Sequence, residues 1–307
     1  MQTYDEFSMF ADNAAEAGLA WRGTPHVERR SIAVSGGRNV SALVWQPDKA
    51  PELVLLHGGA QNAHTWDTVA LALDRPLVAI DLPGHGHSDW RDDGEYKPPL
   101  MAGDVAIAIR ELAPSPIPVV GMSMGGMTAL CLAARHQSLV TKLGMVDVTP
   151  GVDHVKAEPI IAFVTGPEFF DDFSAILART IEHNPTRTES SLRRGVLHNA
   201  RELEDGRWSW RYDPMRSWKR DPSDEAPPAD ATPSAPDFLA MWDDLAEVRV
   251  PITLWRGALS GVVDDADVEK FLQIQPTATV IVVDGAGHSI QGDRPVELAR
   301  SIAMFLD

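Results

Sequence analysis

Five residues, Gly121-Met122-Ser123-Met124-Gly125, constrain this chain more than any other stretch. Ile117-Pro118-Val119-Val120 before them is short, apolar and rich in β-branched residues. Gly126 to Arg135 after them reads as a buried helix. A strand that turns directly into a helix forces a tight bend at the residue between them. The flanking glycines leave room for that bend, and the serine hydroxyl then projects above the edge of a sheet. In that context G-x-S-x-G predicts a nucleophile. An ordinary Gly/Ser turn is the plainer alternative.

The rest of the chain supplies a sheet for such a bend to sit on. Residues 1–27 read as a helical and then irregular extension, with Phe7, Phe10, Ala14, Ala17 and Leu19 on one face. Glu28–Val34 and Ser41–Trp45 alternate as two strands around Gly36-Gly37-Arg38-Asn39. Buried strands are then expected at Leu53–Leu56, Leu77–Ile80, Leu143–Val148, Ile252–Trp255 and Thr279–Val283. Helices are expected at Thr65–Leu73, Met101–Leu112, Asp265–Gln273 and Pro295–Leu306. Continuous apolar strands alternating with helices imply an α/β protein whose mostly parallel sheet is covered on both faces.

Residues 150–247 break this rhythm. Ile160–Val164 and Phe169–Leu177 read as apolar helical stretches. Trp208, Trp210, Tyr212 and Trp218 form an aromatic cluster, and Asp221–Pro236 is rich in Pro, Asp and Ala, as a mobile loop would be. The expectation is an insertion over the C-terminal edge of the sheet, where open α/β sheets bind ligands. The core is then residues 28–149 together with 248–307.

Composition excludes several classes. The net charge of −17 opposes binding to nucleic acid and to anionic membranes. It also disfavours highly anionic substrates unless a local basic pocket compensates. No apolar run reaches transmembrane length, and the first residues lack the basic and apolar regions of a signal peptide. The single cysteine, Cys131, falls on the apolar face of the helix after Ser123 and rules out an internal disulfide. A cytoplasmic protein is expected. No H-E-x-x-H or paired His/Cys spacing suggests a metal.

A serine hydroxyl needs a base. His288, in Gly285-Ala286-Gly287-His288, follows the last strand and is placed to reach Ser123 from a loop at the same sheet edge. His85 and His87, in a turn after an earlier strand, read as structural or solvent-facing. Acyl transfer also needs donors to a developing oxyanion. The amide of Met124, at a helix N-terminus, is one. Gly59, in His57-Gly58-Gly59-Ala60 after a buried strand, is the other, since glycine permits close backbone approach.

Taken in order, His57-Gly58-Gly59, then Asp81-Leu82-Pro83-Gly84-His85-Gly86-His87-Ser88, then Gly121-Met122-Ser123-Met124-Gly125-Gly126, then Gly285-Ala286-Gly287-His288 resemble the α/β-hydrolase superfamily. The likeness spans about residues 28–150 and 248–307. It implies the α/β-hydrolase fold: an eight-stranded, mostly parallel sheet flanked by helices, with a helical cap inserted after the sixth strand. It also implies a serine hydrolase that needs no cofactor. Epoxide hydrolysis and dehalogenation are disfavoured, because relatives with those activities carry Asp where this chain has Ser123.

The chain departs from the usual pattern at the acid. Most relatives place Asp three residues beyond a Gly that follows the seventh strand. Here Gly257 is that Gly, and the position holds Ser260. Asp147, ending the sixth strand, is taken as the substitute, as in some relatives; Asp264 is the alternative, and is otherwise a helix N-cap. The resulting expectation is hydrolysis of a carboxylic ester through an acyl-enzyme. Lactone or carbon–carbon bond hydrolysis, and a non-catalytic ligand receptor on the same fold, are the competing readings. Trp208, Trp210 and Phe163 are expected in a site for an apolar or aromatic small molecule, although such rings also build a cap's own core. The sequence says nothing of oligomeric state.

Overall fold

The computed structural model describes residues 4–152, 154–214 and 240–307. Trp218 and Asp221–Pro236 lie outside the described residues. Eight strands form one sheet: β1 (Val27–Ala33), β2 (Asn39–Trp45), β3 (Val54–Leu56), β4 (Leu77–Ile80), β5 (Ile117–Met122), β6 (Val140–Val146), β10 (Ile252–Gly257) and β11 (Thr279–Val283). Their spatial order is β1-β2-β4-β3-β5-β6-β10-β11. β2 is antiparallel to both β1 and β4; every other pairing is parallel. β3 and β4 are buried throughout and β5 at every residue but Pro118, as their apolar runs require.

Helices cover both faces. α3 (Pro98–Leu112) and α4 (Met124–Arg135) pack with one core cluster that includes Val54, Leu56, Val119 and Leu143. α2 (Asp67–Leu73), α11 (Pro295–Leu306) and α1 (Phe10–Glu16) belong with the other, around Leu43, Leu55, Val120 and Trp255. Val119 and Val120 fall in different clusters, as the two-residue period of a strand dictates. Phe10 is buried in this second layer, its ring 4.9 Å from that of Trp45, and holds the N-terminal extension on the core.

Between β6 and β10 the chain forms α5 (His154–Val164), β7 (Phe169–Phe170), α6 (Phe173–Glu182), α7 (Glu189–Asn199), β8 (Ala200–Glu202), β9 (Trp208–Trp210) and α8 (Met241–Glu247). The expected helix over Phe169–Leu177 is two elements. Phe169–Phe170 pairs with β9 in a small antiparallel sheet of order β7-β9-β8. The helix begins only at Phe173, where the Asp172 carboxylate accepts from the Ala175 amide. A run of large apolar residues hid that boundary, and the cap side chain marks it. After β10, α9 (Asp265–Ile274) leads into β11, and α10 (Ile290–Asp293) joins the loop after β11 to α11.

Candidate active site

The bend at Ser123 follows from what surrounds its glycines. A Cβ on Gly121 would lie 2.1 Å from the Gly125 carbonyl oxygen, and one on Gly125 would lie 2.4 Å from that of His57. Neither position tolerates a side chain, so strand and helix can close directly on each other. Ser123 itself takes φ 51° and ψ −120°, a left-handed conformation that costs a residue with a Cβ about 1–3 kcal/mol. Its amide donates to the Val146 carbonyl at 3.0 Å, which fixes the bend to the end of β6.

The parallel strands bring their following loops to one edge. β3 delivers His57–Ala60, β5 delivers Ser123, β6 delivers Asp147, β10 delivers Ser260, and β11 delivers His288. Asp147 is fully buried, also at a positive φ (50°), and its Oδ2 lies 2.8 Å from His288 Nδ1. Its Oδ1 accepts from the Gly257 amide at 2.9 Å. The Ser260 hydroxyl donates to Oδ2. The position where a strand-seven acid would stand therefore holds a donor to the carboxylate that reaches in from β6. Sequence spacing showed that Ser260 was no acid; only the adjacency of β6 and β10 shows what it does.

Asp264 makes no such approach. Its side chain accepts from the Asp267 amide at 2.9 Å in a reciprocal capping box at the start of α9, and Lys156 Nζ lies 2.9 Å away. The alternative acid is thus an N-cap turned toward α9. His288 Nε2 is buried and makes no hydrogen bond to any described residue, Ser123 included. Ser123 and His288 line the same cavity of about 1100 Å³, so this nitrogen and the hydroxyl share a space that a ligand would enter.

The loop of Gly59 is held by two histidines. His57 Nε2 accepts from the Leu82 amide at 2.9 Å, and its Nδ1 contacts the Gly58 carbonyl at 2.7 Å. His85 Nε2 accepts from the Ala60 amide at 3.1 Å, and its Nδ1 contacts the Pro83 carbonyl at 3.0 Å. Each ring therefore has one accepting and one donating nitrogen, the pattern of a neutral imidazole. Burial enforces that state: it lowers both, His85 to about 3. From the other side, Asn199 Nδ2 at the end of α7 donates to the Ala60 carbonyl at 2.6 Å. The Gly59 and Met124 amides donate to no acceptor among the described residues. The two residues adjoin, since a Cβ on Gly59 would lie 3.9 Å from the Met124 side-chain sulfur.

Two of the three expected substrate residues reach the cavity. Phe163 and Trp210 line it, with Ile160 and Val164 beside them. Trp208 does not. It shares a face of β9 with Trp210, but two residues of strand separate them by about 7 Å. Trp208 packs edge-on to Phe173 instead, with ring centroids 5.0 Å apart. Cys131 lies on the buried face of α4, and burial, with Asp244 nearby, pushes its thiol up to about 12.

A second cluster was invisible from sequence because its members come from five segments. His64 Nδ1 lies 2.9 Å from Asp67 Oδ2, and His64 Nε2 lies 3.1 Å from Glu6 Oε2. Arg29 bridges Glu6 and the buried Asp81. The His198 ring stacks on His64 at 3.8 Å, and its Nδ1 contacts the Tyr4 hydroxyl at 2.7 Å. Burial lowers His64, but the Asp67 charge and the bonds from Asp67 and Glu6 outweigh it and hold the imidazole up at about 9. His64, Asp67 and His198 are also the one group, among the described residues, with three ligand atoms close enough to hold a metal, all within 4.8 Å of one another. No described helix is long and apolar enough to cross a membrane.

A sheet of this order, with a serine at a strand-to-helix bend and a His–Asp pair on the same edge, defines an α/β hydrolase. Residues 53–301 match the alpha/beta hydrolase family, and the chain belongs to it. Over 310 residues it is 43% identical to the esterase Rv0045c of Mycobacterium tuberculosis, covering 99% of this chain and 96% of that one. A crystal structure of esterase Rv0045c superposes with a TM-score of 0.83 at 42% identity, covering 100% of this chain and 99% of the other. At 27% identity, over 86% of this chain and 91% of the relative, the chain also resembles 2-(acetamidomethylene)succinate hydrolase of Mesorhizobium japonicum.

Proposed function

We propose that this protein is a serine hydrolase that cleaves carboxylic esters through an acyl-enzyme. One arrangement carries the reading: an imidazole with its Nδ1 on a buried carboxylate and its Nε2 free, on the same cavity as a serine at a strained bend. Ser123 Oγ attacks the ester carbonyl as His288 Nε2 takes its proton. Asp147 holds the ring's Nδ1–H and stabilises the imidazolium. The Gly59 and Met124 amides, which have no acceptor among the described residues, bind the oxyanion. The proton then passes from Nε2 to the departing alcohol. Water, activated by the same nitrogen, releases the acid and restores Ser123.

We take residues 150–247 as a cap over this site. Phe163 and Trp210 supply an apolar wall for part of the substrate. The similarity to an esterase along nearly the whole chain supports ester over carbon–carbon cleavage. A cytoplasmic setting fits the buried, unpaired Cys131.

The test is covalent labelling. A fluorophosphonate should modify wild type at Ser123. Ser123→Ala should lose both the label and p-nitrophenyl ester turnover while unfolding at the wild-type temperature. Turnover retained by a folded Ser123→Ala would overturn the mechanism. An unlabelled, inactive wild type that still binds small ligands would favour a receptor.

A further inference from the structure

The cavity that holds Ser123 and His288 also holds Arg187. Arg187 precedes α7, where Thr188 is the N-cap. It is partly buried, and its Nε is inaccessible and has no hydrogen-bond partner among the described residues. One Nη donates to the Ser191 hydroxyl. No carboxylate among the described residues lies within ion-pair distance of it. A guanidinium removed from bulk water normally finds an anion, since leaving it unpaired is costly.

The carboxylates that could serve are already engaged. Asp293 and Glu16 are the carboxylates whose charges favour its protonated form. Asp293 accepts from the Thr186 hydroxyl on one oxygen (3.0 Å) and from the Gly287 amide on the other (2.7 Å). Glu16 is held by Arg194 and Thr188. Other cations on the cavity wall are paired or exposed: Lys156 lies 2.6 Å from Asp267, Arg194 binds both Glu16 and Asn13, and Arg294 and Arg300 are solvent-exposed, where water serves them. Burial accordingly lowers Arg187 below its ordinary range, which the distant acids oppose only in part.

The guanidinium is also seated against the catalytic loop. A Cβ on Gly292, four residues beyond His288, would lie 2.5 Å from Arg187 Nη1 and 2.9 Å from its Nε. A side chain at 292 would meet the guanidinium where it now lies, so Arg187 packs directly against the backbone of Gly292.

We propose that Arg187 is a substrate-anchoring residue and that the preferred esters carry a free carboxylate, bound by Arg187, in addition to the scissile ester. This rests on the hydrolase reading above and names its substrate class. A carboxylate completes the guanidinium's hydrogen bonds in the forked geometry that arginine offers and relieves an unpaired buried charge. It also answers the charge problem: a protein of net charge −17 repels anions at long range, and needs a local cation to hold one. Phe163 and Trp210 then face the apolar span between the two ends.

The experiment compares kcat/KM for matched pairs. On the acyl side, mono-p-nitrophenyl esters of adipic, pimelic and suberic acids are set against their methyl-capped diesters. On the alcohol side, 4-acetoxybenzoate is set against its methyl ester. Wild type should prefer the acid in at least one pair by about ten- to a hundred-fold, the range of a charge-assisted hydrogen-bonded pair. Arg187→Met should bring that ratio close to one, with Arg187→Lys between. No preference in any pair, or a preference that survives Arg187→Met, overturns the proposal. If Arg187→Met does not fold, wild type decides: adipate, pimelate or suberate should inhibit neutral-ester hydrolysis competitively where the corresponding dimethyl ester does not, and equal inhibition overturns it. If no ester is cleaved in a Ser123-dependent manner, the hydrolase reading fails on its own. Calorimetry of the same diacids with Ser123→Ala then tests the anchor alone, with binding that disappears in Ser123→Ala/Arg187→Met supporting it and no binding overturning it.

Discussion

Two histidine–aspartate pairs in this molecule have nearly the same internal geometry and opposite surroundings. His288 Nδ1 lies 2.8 Å from Asp147, and His64 Nδ1 lies 2.9 Å from Asp67. The difference is at the other nitrogen. His288 Nε2 has no partner among the described residues, and His288 borders the cavity. His64 Nε2 is taken by Glu6, with Arg29 beside it at 3.3 Å. A proton can leave and return only where one nitrogen is open. In the proposed mechanism the first pair cycles a proton, whereas the second is enclosed so as to keep one. The pairs themselves are alike, and it is the environment of Nε2 that distinguishes them.

The comparison breaks if the two pairs respond alike to mutation. The largest effect is expected at His288: replacing it with alanine should cost activity as much as Ser123→Ala, and the double variant should add little, because the two act as a unit. Single- and double-variant kcat values on one p-nitrophenyl ester measure this. Next, Asp147→Asn should lower kcat by about 10²–10⁴ with little change in KM, by spoiling the tautomer and orientation of His288. Asp264→Asn should leave kcat close to wild type, as its carboxylate only caps α9. Equal losses in the two variants would remove the assignment.

The same change in the other pair should appear as lost stability. Asp67→Ala should reduce the free energy of urea unfolding by about 2–4 kcal/mol, since it strands a buried imidazolium, while the folded fraction keeps kcat within about threefold. A pH series sharpens this. His64 binds its proton more tightly in the folded state, at about 9, than at its ordinary value of 6.5. Its contribution is thus complete below about pH 6.5 and disappears as pH rises through 9. Wild type should lose on the order of 1–3 kcal/mol more than His64→Gln between pH 6 and pH 9.5. Parallel curves would show that the tie carries no proton-linked stability. The smallest effect is at Ser260. Ser260→Ala removes one donor to Asp147 and should lower kcat about three- to tenfold, corresponding to a single hydrogen bond of roughly 1 kcal/mol.

The legibility of these features in the sequence follows their range along the chain. The β3, β4, β5 and β11 strands are local apolar runs, and the bend at Ser123 is a local conflict between a strand and a helix. Both could be read from neighbouring letters. His288 was legible because it follows a strand and has glycines before it. Its link to Asp147 spans 141 residues and depends on β6 lying beside β10. Sequence alone left Asp147 and Asp264 as alternatives, and the resemblance to a family brought them into view. Ser260 read only as a missing acid. Trp208 and Trp210 looked equivalent because spacing shows which residues share a strand face, not where that strand ends. Arg187 had no local signal at all: one arginine in a polar stretch matters only through the acids that are not beside it.

The clamp on the Ala60 carbonyl has a consequence for the modularity of this enzyme. Inserted lids are often treated as exchangeable parts, set onto a hydrolase body to change its range of substrates. Here Asn199, the last residue of α7, grips the backbone next to Gly59, while its neighbour His198 stacks on a residue of the body and meets Tyr4. On the proposed function, residues 150–247 thus brace the loop of Gly59 as well as covering the site. A graft that exchanges residues 150–247 without keeping an amide at position 199 would alter the reaction centre along with the pocket, and its change in rate could not be assigned to substrate fit alone.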